Sequence, residues 1–355
     1  MANFIIKDGV GIIPQGVTKI EDRAFKGCTD LTSIVIPDSV TKIGEDAFYG
    51  CTGLTSIEIP DSVTSIENYA FQGCTGLTYI EIPDSVTEIG HHTFRDCTGL
   101  TSIEIPDSVT KIVWNAFEGC TGLTSIKVAE GNKVYDSRNN CNAIIKRETN
   151  TLISGCKTTE IPDSVTVIGG WAFFGCAGLT SIVIPDSVTW IREHAFSGCT
   201  GLTSIVIPDS VTEIGEYAFN GCTGLTSIVI PDGVTTIEGA AFYGCTGLTS
   251  IEIPDGVTTI GVCAFYGCTG LTSIEIPKGV TTIGEKAFYG CTGMKEMTLP
   301  VGVKKIAEEA FCDCKVLEKI YVPAKKTDYY KSRLPEELHS LIVELQPEKK
   351  AKAKK

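Results

Sequence analysis

Histidine, tryptophan and methionine are scarce: four, three and three among 355 residues. With only His91, His92, His194 and His339 to supply an imidazole, no nucleophile has a recognisable base. No Gly-rich phosphate loop, Walker motif or zinc-spaced pair occurs either. The chain is therefore expected to be no enzyme, with no catalytic residue, no cofactor and no metal. No apolar run approaches the ~20 residues of a membrane span. The start, MANFIIKDGVG, has no basic region followed by a long apolar stretch, so no export signal is visible. Either the protein stays in the cytosol or this is a mature or trimmed form. Positive charge is in deficit: 30 Lys and Arg against 43 Asp and Glu give a formal net charge of −13. That argues against nucleic acid or an anionic membrane surface as partner. The one basic run, Lys349, Lys350, Lys352, Lys354 and Lys355, is terminal and Ala-spaced, as in a solvated tail.

What is present is one motif, many times. The string CTGLTSIEIPDSVTSIENYAFQG runs from Cys51 to Gly73, and Cys74 starts it again. Prolines mark the register at Pro14, Pro37, Pro60, Pro83 and Pro106, then from Pro162 to Pro323, with Ala129 filling the slot between Pro106 and Pro162. That makes about fourteen coils, ~65 Å long at strand spacing. A motif on every coil serves the scaffold, so function is sought where the repeat deviates. Sixteen cysteines suggest a disulfide framework only until they are placed. Cys28 to Cys120 and Cys176 to Cys314 recur every 23 residues, which stacks them ~4.8 Å apart with parallel side chains. Disulfides need facing β-carbons, so the ladder reads as buried free thiols. Cys141 and Cys156 share an insertion, and pairing between them stays open.

Within one coil, Leu54, Ile57, Ile59, Val63, Ile66, Ala70 and Phe71 are the apolar positions. Leu-Thr-Ser-Ile-Glu-Ile ends in the alternation of a half-buried strand. Pro60-Asp61 turns the chain, the aspartate bonding nearby backbone N–H groups. A second extended piece, Val63 to Ile66, precedes Glu67 to Gly73, which reads as a helical turn closed by glycine. One coil buries too few side chains to offset its ordering entropy, so stacking must supply the remainder.

The pattern L-T-S-I-x-I-P-D-S-V-T-x-I-G-x-x-A-F-x-G-C, in about ten close copies from about Val10 to Pro323, resembles the BspA-like (Treponema-type) leucine-rich repeat family. The resemblance implies an α/β repeat solenoid, a curved right-handed coil stack. Its parallel β-sheet would line the concave face, with short extended pieces and helical turns on the convex side. It also implies a surface or secreted, adhesin-like protein whose partners are host matrix or cell-surface proteins. An intracellular interaction scaffold of the same fold is the alternative, favoured by the free cysteines. The expected organisation is an N-terminal cap and partial coil (1–27), repeats (28–128), a longer variant coil with a β-hairpin at Ala143 to Ile153 (129–161) and further repeats (162–323). A C-terminal helical cap (324–346) and the Lys-rich tail (347–355) follow. A monomer is expected.

Two acidic columns run along the coils. The turn aspartates from Asp38 to Asp255 offer one carboxylate per coil and no second donor, so turn capping outweighs calcium binding. The outward strand position holds Glu58, Glu81, Glu104 and Glu160, then Val183, Val206 and Val229, then Glu252 and Glu275. A docking strip and simple Val/Glu drift are both open readings of it. The sharpest deviations are aromatic. Tyr69, His91, His92, Trp114, Trp171, His194 and Tyr217 occupy slots that are mostly polar elsewhere, and Trp190 stands where most coils have Lys, Thr or Glu. Exposed clustered aromatics are the material of protein-binding hot spots, so these eight are the candidate partner-binding residues.

Overall fold

Most coils lay down two short strands, and equivalent strands of successive coils pair in parallel. The computed structural model describes residues 5–113 and 115–346, and the chain divides into two compact units, Met1–Leu202 and Thr203–Lys355. In the first unit, the second strands form a continuous parallel ladder: Lys19–Ile20, Lys42–Ile43, Ser65–Ile66, Glu88–Ile89 and Lys111–Ile112. The first strands pair in shorter runs, such as Ser56–Ile57 with Tyr79–Ile80 and Ser102–Ile105 with Ser125–Val128. Ile43 faces Ile66 and Ile103 faces Ile126. A slip of one residue would turn every such isoleucine outward, which fixes the register.

The core is a set of columns. Phe25, Phe48, Phe71 and Phe94 stack nearly parallel with centroids 5.2 to 5.7 Å apart. Leu54, Ile57, Val63, Ile66, Ala70 and Cys74 are buried beside them. Ladder thiols donate to the phenylalanine carbonyl of the preceding coil, as from Cys74 Sγ to Phe48 at 3.1 Å and from Cys97 Sγ to Phe71 at 3.1 Å. Burial pushes the Cys51 thiol up to about 12 and raises Cys74 and Cys97 as well, because the thiolate would lose its hydration.

Three expectations are corrected. Glu67 to Gly73 forms consecutive turns, not a helix, because Tyr69 is left-handed at φ 60°. Donors there alternate. Ala70, Gln72 and Cys74 bond three residues back, while Tyr69, Phe71 and Gly73 donate to His91, Thr93 and Arg95 of the next coil. At the Pro-Asp turn it is the serine that bonds: Ser62 Oγ donates to the Val40 carbonyl at 2.7 Å, and Asp61 is exposed. The apolar spacing from Leu334 to Leu345 does not make one helix. A short α-helix at Thr327–Lys331 precedes it, Pro335 caps a 3-10 helix at Glu336–Leu341, and the chain turns extended at Ile342 into a strand, Ile342–Glu344. That strand pairs with Lys319–Val322, whose edge would otherwise stay open.

The longer coil carries the expected hairpin: Ala143–Lys146 pairs antiparallel with Thr151–Gly155. It lies in a sheet between Tyr135–Asp136 and Val167–Ile168 and buries Ile144, Ile145 and Leu152. Cys141 and Cys156 are both free thiols. The turn column bypasses this coil altogether, since Gly119 N–H donates directly to Phe174. At the N-terminus, Ile5–Lys7 folds antiparallel on Val10–Ile12; Phe4 lies outside the described residues, as does the Lys-rich tail.

The second unit repeats the plan with fewer interruptions. Thr236–Ile237, Thr259–Ile260, Thr282–Ile283 and Lys305–Ile306 form its second-strand ladder. Phe219, Phe242, Phe265, Phe288 and Phe311 stack 5.2 to 5.6 Å apart. Among the described residues no helix is long and apolar enough to cross a membrane.

Candidate functional site

The residue before the Ala-Phe pair is left-handed in coil after coil. In the first unit φ is 63° at Arg23, 57° at Asp46, 60° at Tyr69, 53° at His92, 56° at Trp171 and 54° at His194. A side chain there costs roughly 1–2 kcal/mol over a right-handed one, and the alternating donor pattern of the turn imposes it. The column keeps its backbone while its chemistry varies freely, which makes it a display position.

The aromatic members pair. Tyr69 stacks on His92 at 5.0 Å and 12°, and Trp171 on His194 at 4.9 Å and 16°, with Phe174 tilted 6.3 Å from the His194 ring. Each of these residues is half-buried. Beneath the first pair lies a charged group. His92 Nε2 is 3.2 Å from Glu118, whose other oxygen is 3.4 Å from Arg95. Burial raises the Glu118 carboxyl against the opposing pull of Arg95, and burial, then Arg95, lowers the His92 imidazole.

The other candidates fall elsewhere. His91 is exposed in the neighbouring slot, its N–H on Asn68 Oδ1 at 2.8 Å. Trp190 belongs to the strand Trp190–Ile191, paired with Val167–Ile168, and its ring lies 4.1 Å under the Arg192 guanidinium. Tyr217 is in the second unit, left-handed and 37% exposed. Trp114 lies outside the described residues. The expected ridge thus resolves, in the first unit, into two stacked pairs plus a tryptophan on the strand ladder.

The outward strand column is solvent-facing in both units: Glu58, Glu81, Glu104 and Glu160 are exposed and Val183 is 82% exposed, as are Val206, Val229, Glu252 and Glu275 in the second unit. Among the described residues no three His, Cys, Asp or Glu side chains converge as metal ligands. Cavities of about 570 and 320 Å³ flank the longer coil, the first lined by Glu104, Lys127, Asn140 and Arg147, the second by Ile112, Ile153, Val167 and Arg192. Three residues here were not singled out from sequence: Phe174, Asn132 and Arg192. Arg192 had a signal. It follows the second-strand isoleucine, where other coils hold Gly, Glu, Val or Ala, and it is the one cation of that column.

A family model described as a BspA type leucine rich repeat region of six copies matches residues 12–146, 153–272 and 236–336. A leucine-rich repeat protein from Eubacterium ventriosum is similar in structure, with a TM-score of 0.75 and 28% identity over 84% of this chain and 81% of that one. Another, from Bacteroides ovatus, gives 0.51 and 28% over 93% and 88%. A leucine rich cell surface protein from Faecalibacterium prausnitzii gives 0.52 and 27% over 92% and 94%. No curated protein matches the chain.

Proposed function

The chain belongs to the BspA-type leucine-rich repeat family, and from that premise we propose that it is a non-catalytic protein-binding scaffold displayed at the cell surface or secreted. Its partner is an extracellular-matrix or cell-surface protein, and the aromatic pairs of the first unit are its contact face. The observation that carries this reading is the pairing of Tyr69 with His92 and of Trp171 with His194, in a column that, Tyr217 aside, holds Arg, Asp, Asn, Ala, Cys, Lys or Glu in other coils. Stacked rings hold large contact area rigid, so little entropy is lost when a partner covers them. Trp and Tyr dominate hot spots for that reason. The surface location is supported by the relative whose printed description is a leucine rich cell surface protein.

The test is capture of matrix proteins by the parent chain and by Trp171→Lys and Tyr69→Asp. These replacements put in the residues that Lys286 and Asp46 already place at the equivalent left-handed position, so the coils fold unchanged. Each should cost about 2 kcal/mol of binding, roughly thirtyfold. Unaltered capture by both variants would remove the aromatic pairs from the contact face. A second reading, an intracellular scaffold of the same fold, is favoured by the sixteen free thiols. Fractionation of the producing cell separates the two.

A further inference from the structure

The longer coil breaks the second-strand ladder of the first unit, and the break is a cavity. The ladder that begins at Lys19–Ile20 stops at Lys111–Ile112, and a separate sheet takes over at Tyr135–Asp136. The Ile112 N–H is met not by a strand but by the Tyr135 hydroxyl, at 2.9 Å. Between the two sheets opens the cavity of about 320 Å³, within the size range of small-ligand sites. Ile112, Ile153 and Val167 give it apolar walls, and Gly169 and Gly170 leave its floor without side chains.

One charge enters it without a counter-ion. Arg192 lines the cavity and its Nε is buried with no acceptor. Among the described residues its guanidinium has no ion pair. The other cation of the lining, Lys146, already has one, with Glu148 at 3.6 Å. Arg192 is held in place from one side by the Trp190 indole, 4.1 Å away. Its neighbour one coil back is Gly169, so no side chain lies across the guanidinium there. A shielded donor without an acceptor costs free energy unless something fills it, and a planar guanidinium fits a carboxylate with two parallel hydrogen bonds. Thr149 and Thr151 add hydroxyls to the lining, and the apolar side chains of Ile112, Ile153 and Val167 favour an anion carried on an apolar body.

We propose that this cavity binds a carboxylate attached to an apolar group, with Arg192 as its recognition residue and Trp190 as the positioning residue that fixes the guanidinium. The carboxylate is either that of a small organic acid or the C-terminus of a polypeptide ending in an apolar residue. The site is separate from the aromatic pairs, and its test does not use the partner invoked for them.

The probe is phenylacetate, followed on ¹⁵N-labelled full chain through the Arg192 Nε–H and Gly170 amide resonances. Saturable shifts are expected, with phenylacetamide at least tenfold weaker because it lacks the charge. Arg192→Gln should weaken binding at least tenfold. Val167→Glu should do the same by supplying an internal partner for Arg192, and the coil tolerates it because Glu88 and Glu213 hold the equivalent position. Acetyl-Gly-Leu and its C-terminal amide form the second arm. Tighter binding of the acid than of phenylacetate assigns the site to polypeptide ends, and the reverse assigns it to small acids. Absence of saturable shifts with both acids, equal binding of acid and amide, or undiminished binding in the two variants would each overturn the proposal.

Discussion

A regular coil and the longer coil solve the same problem by opposite means. In the coil from Cys51, partners come from the matching segments of the neighbouring coils. Phe71 stacks between Phe48 and Phe94, Tyr69, Phe71 and Gly73 donate to the next coil, and Thr64 donates to Thr41. Translation by 23 residues supplies the partners. The longer coil has no copy. There, Asn132 donates to the Pro106 and Val109 carbonyls and accepts from Val134 and Tyr135, all within 2.7 to 2.9 Å. Arg147 Nε bonds the Asn132 and Tyr135 carbonyls, and Asp136 is gripped by Arg138 and Arg147. Where the ladder stops, each orphaned backbone group needs its own polar side chain. The same interruption leaves cavities, because the regular columns no longer fill the gap.

The comparison predicts where each region is fragile. The largest loss is expected in the regular coils. Phe71→Ala empties a fully buried site shared with both neighbours and should cost about 3–5 kcal/mol in denaturant unfolding. Glu58→Ala, on the exposed column, should stay within about 0.5 kcal/mol. Equal effects at the two would mean the inward and outward faces are misassigned.

In the longer coil the most damaging change is polar. Asn132 is 1% exposed and makes four hydrogen bonds. Asn132→Ala strands two carbonyls and two N–H groups, and about 2–4 kcal/mol follows from partial rescue of these groups by water. Hydrogen exchange should localise the opening to residues 129–161 while the regular coils keep their protection. A global, evenly spread loss of protection would show that the longer coil is no separate link in the stack.

This contrast also explains what could be seen in the sequence. The columns were legible because repetition averages out local ambiguity: the positions of Leu54, Ile57, Val63 and Phe71 stay apolar through the regular coils and can face only inward. The hairpin at Ala143 to Ile153 was legible from two apolar runs around a polar turn. Asn132 and Arg147 were not, because a polar residue that occurs once gives no period, and its partners are backbone atoms that carry no sequence signal. The turn segment misled for a related reason. Its spacing suits a helical turn, and nothing in Tyr69, His92 or Trp171 announces a left-handed backbone, since glycine is absent from the column. The aromatic residues themselves stood out, but their pairing did not: Tyr69 and His92 meet because the coils stack one on the next, and Trp190 departs from them because it sits on a strand.

The smallest expected effect tests the bond between turns. In the first unit Ser39, Ser62, Ser108 and Ser187 each donate to a valine carbonyl of the preceding turn, at 2.6 to 2.8 Å. In the second unit the equivalent position is Ser210 in the first turn and then Gly233, Gly256, Gly279 and Gly302. Both kinds of turn close with the same local bond, Val63 N–H to Pro60 and Val257 N–H to Pro254. The serine therefore adds a tie between coils that the glycine turns lack. Ser62→Gly should cost about 1–2 kcal/mol: roughly 1 for the lost hydrogen bond and about 0.5–1 for the freer unfolded chain. The reverse change, Gly256→Ser, should return less. A β-carbon there would stand 3.1 Å from the Asp232 carbonyl, so the neighbouring turn must give way by a few tenths of an ångström before the hydroxyl can bond. Thermal midpoints of the two variants and the parent measure both changes. A neutral Ser62→Gly would mean that the stack is held at this corner by the proline turn alone, and the two units would then differ in sequence here without differing in strength.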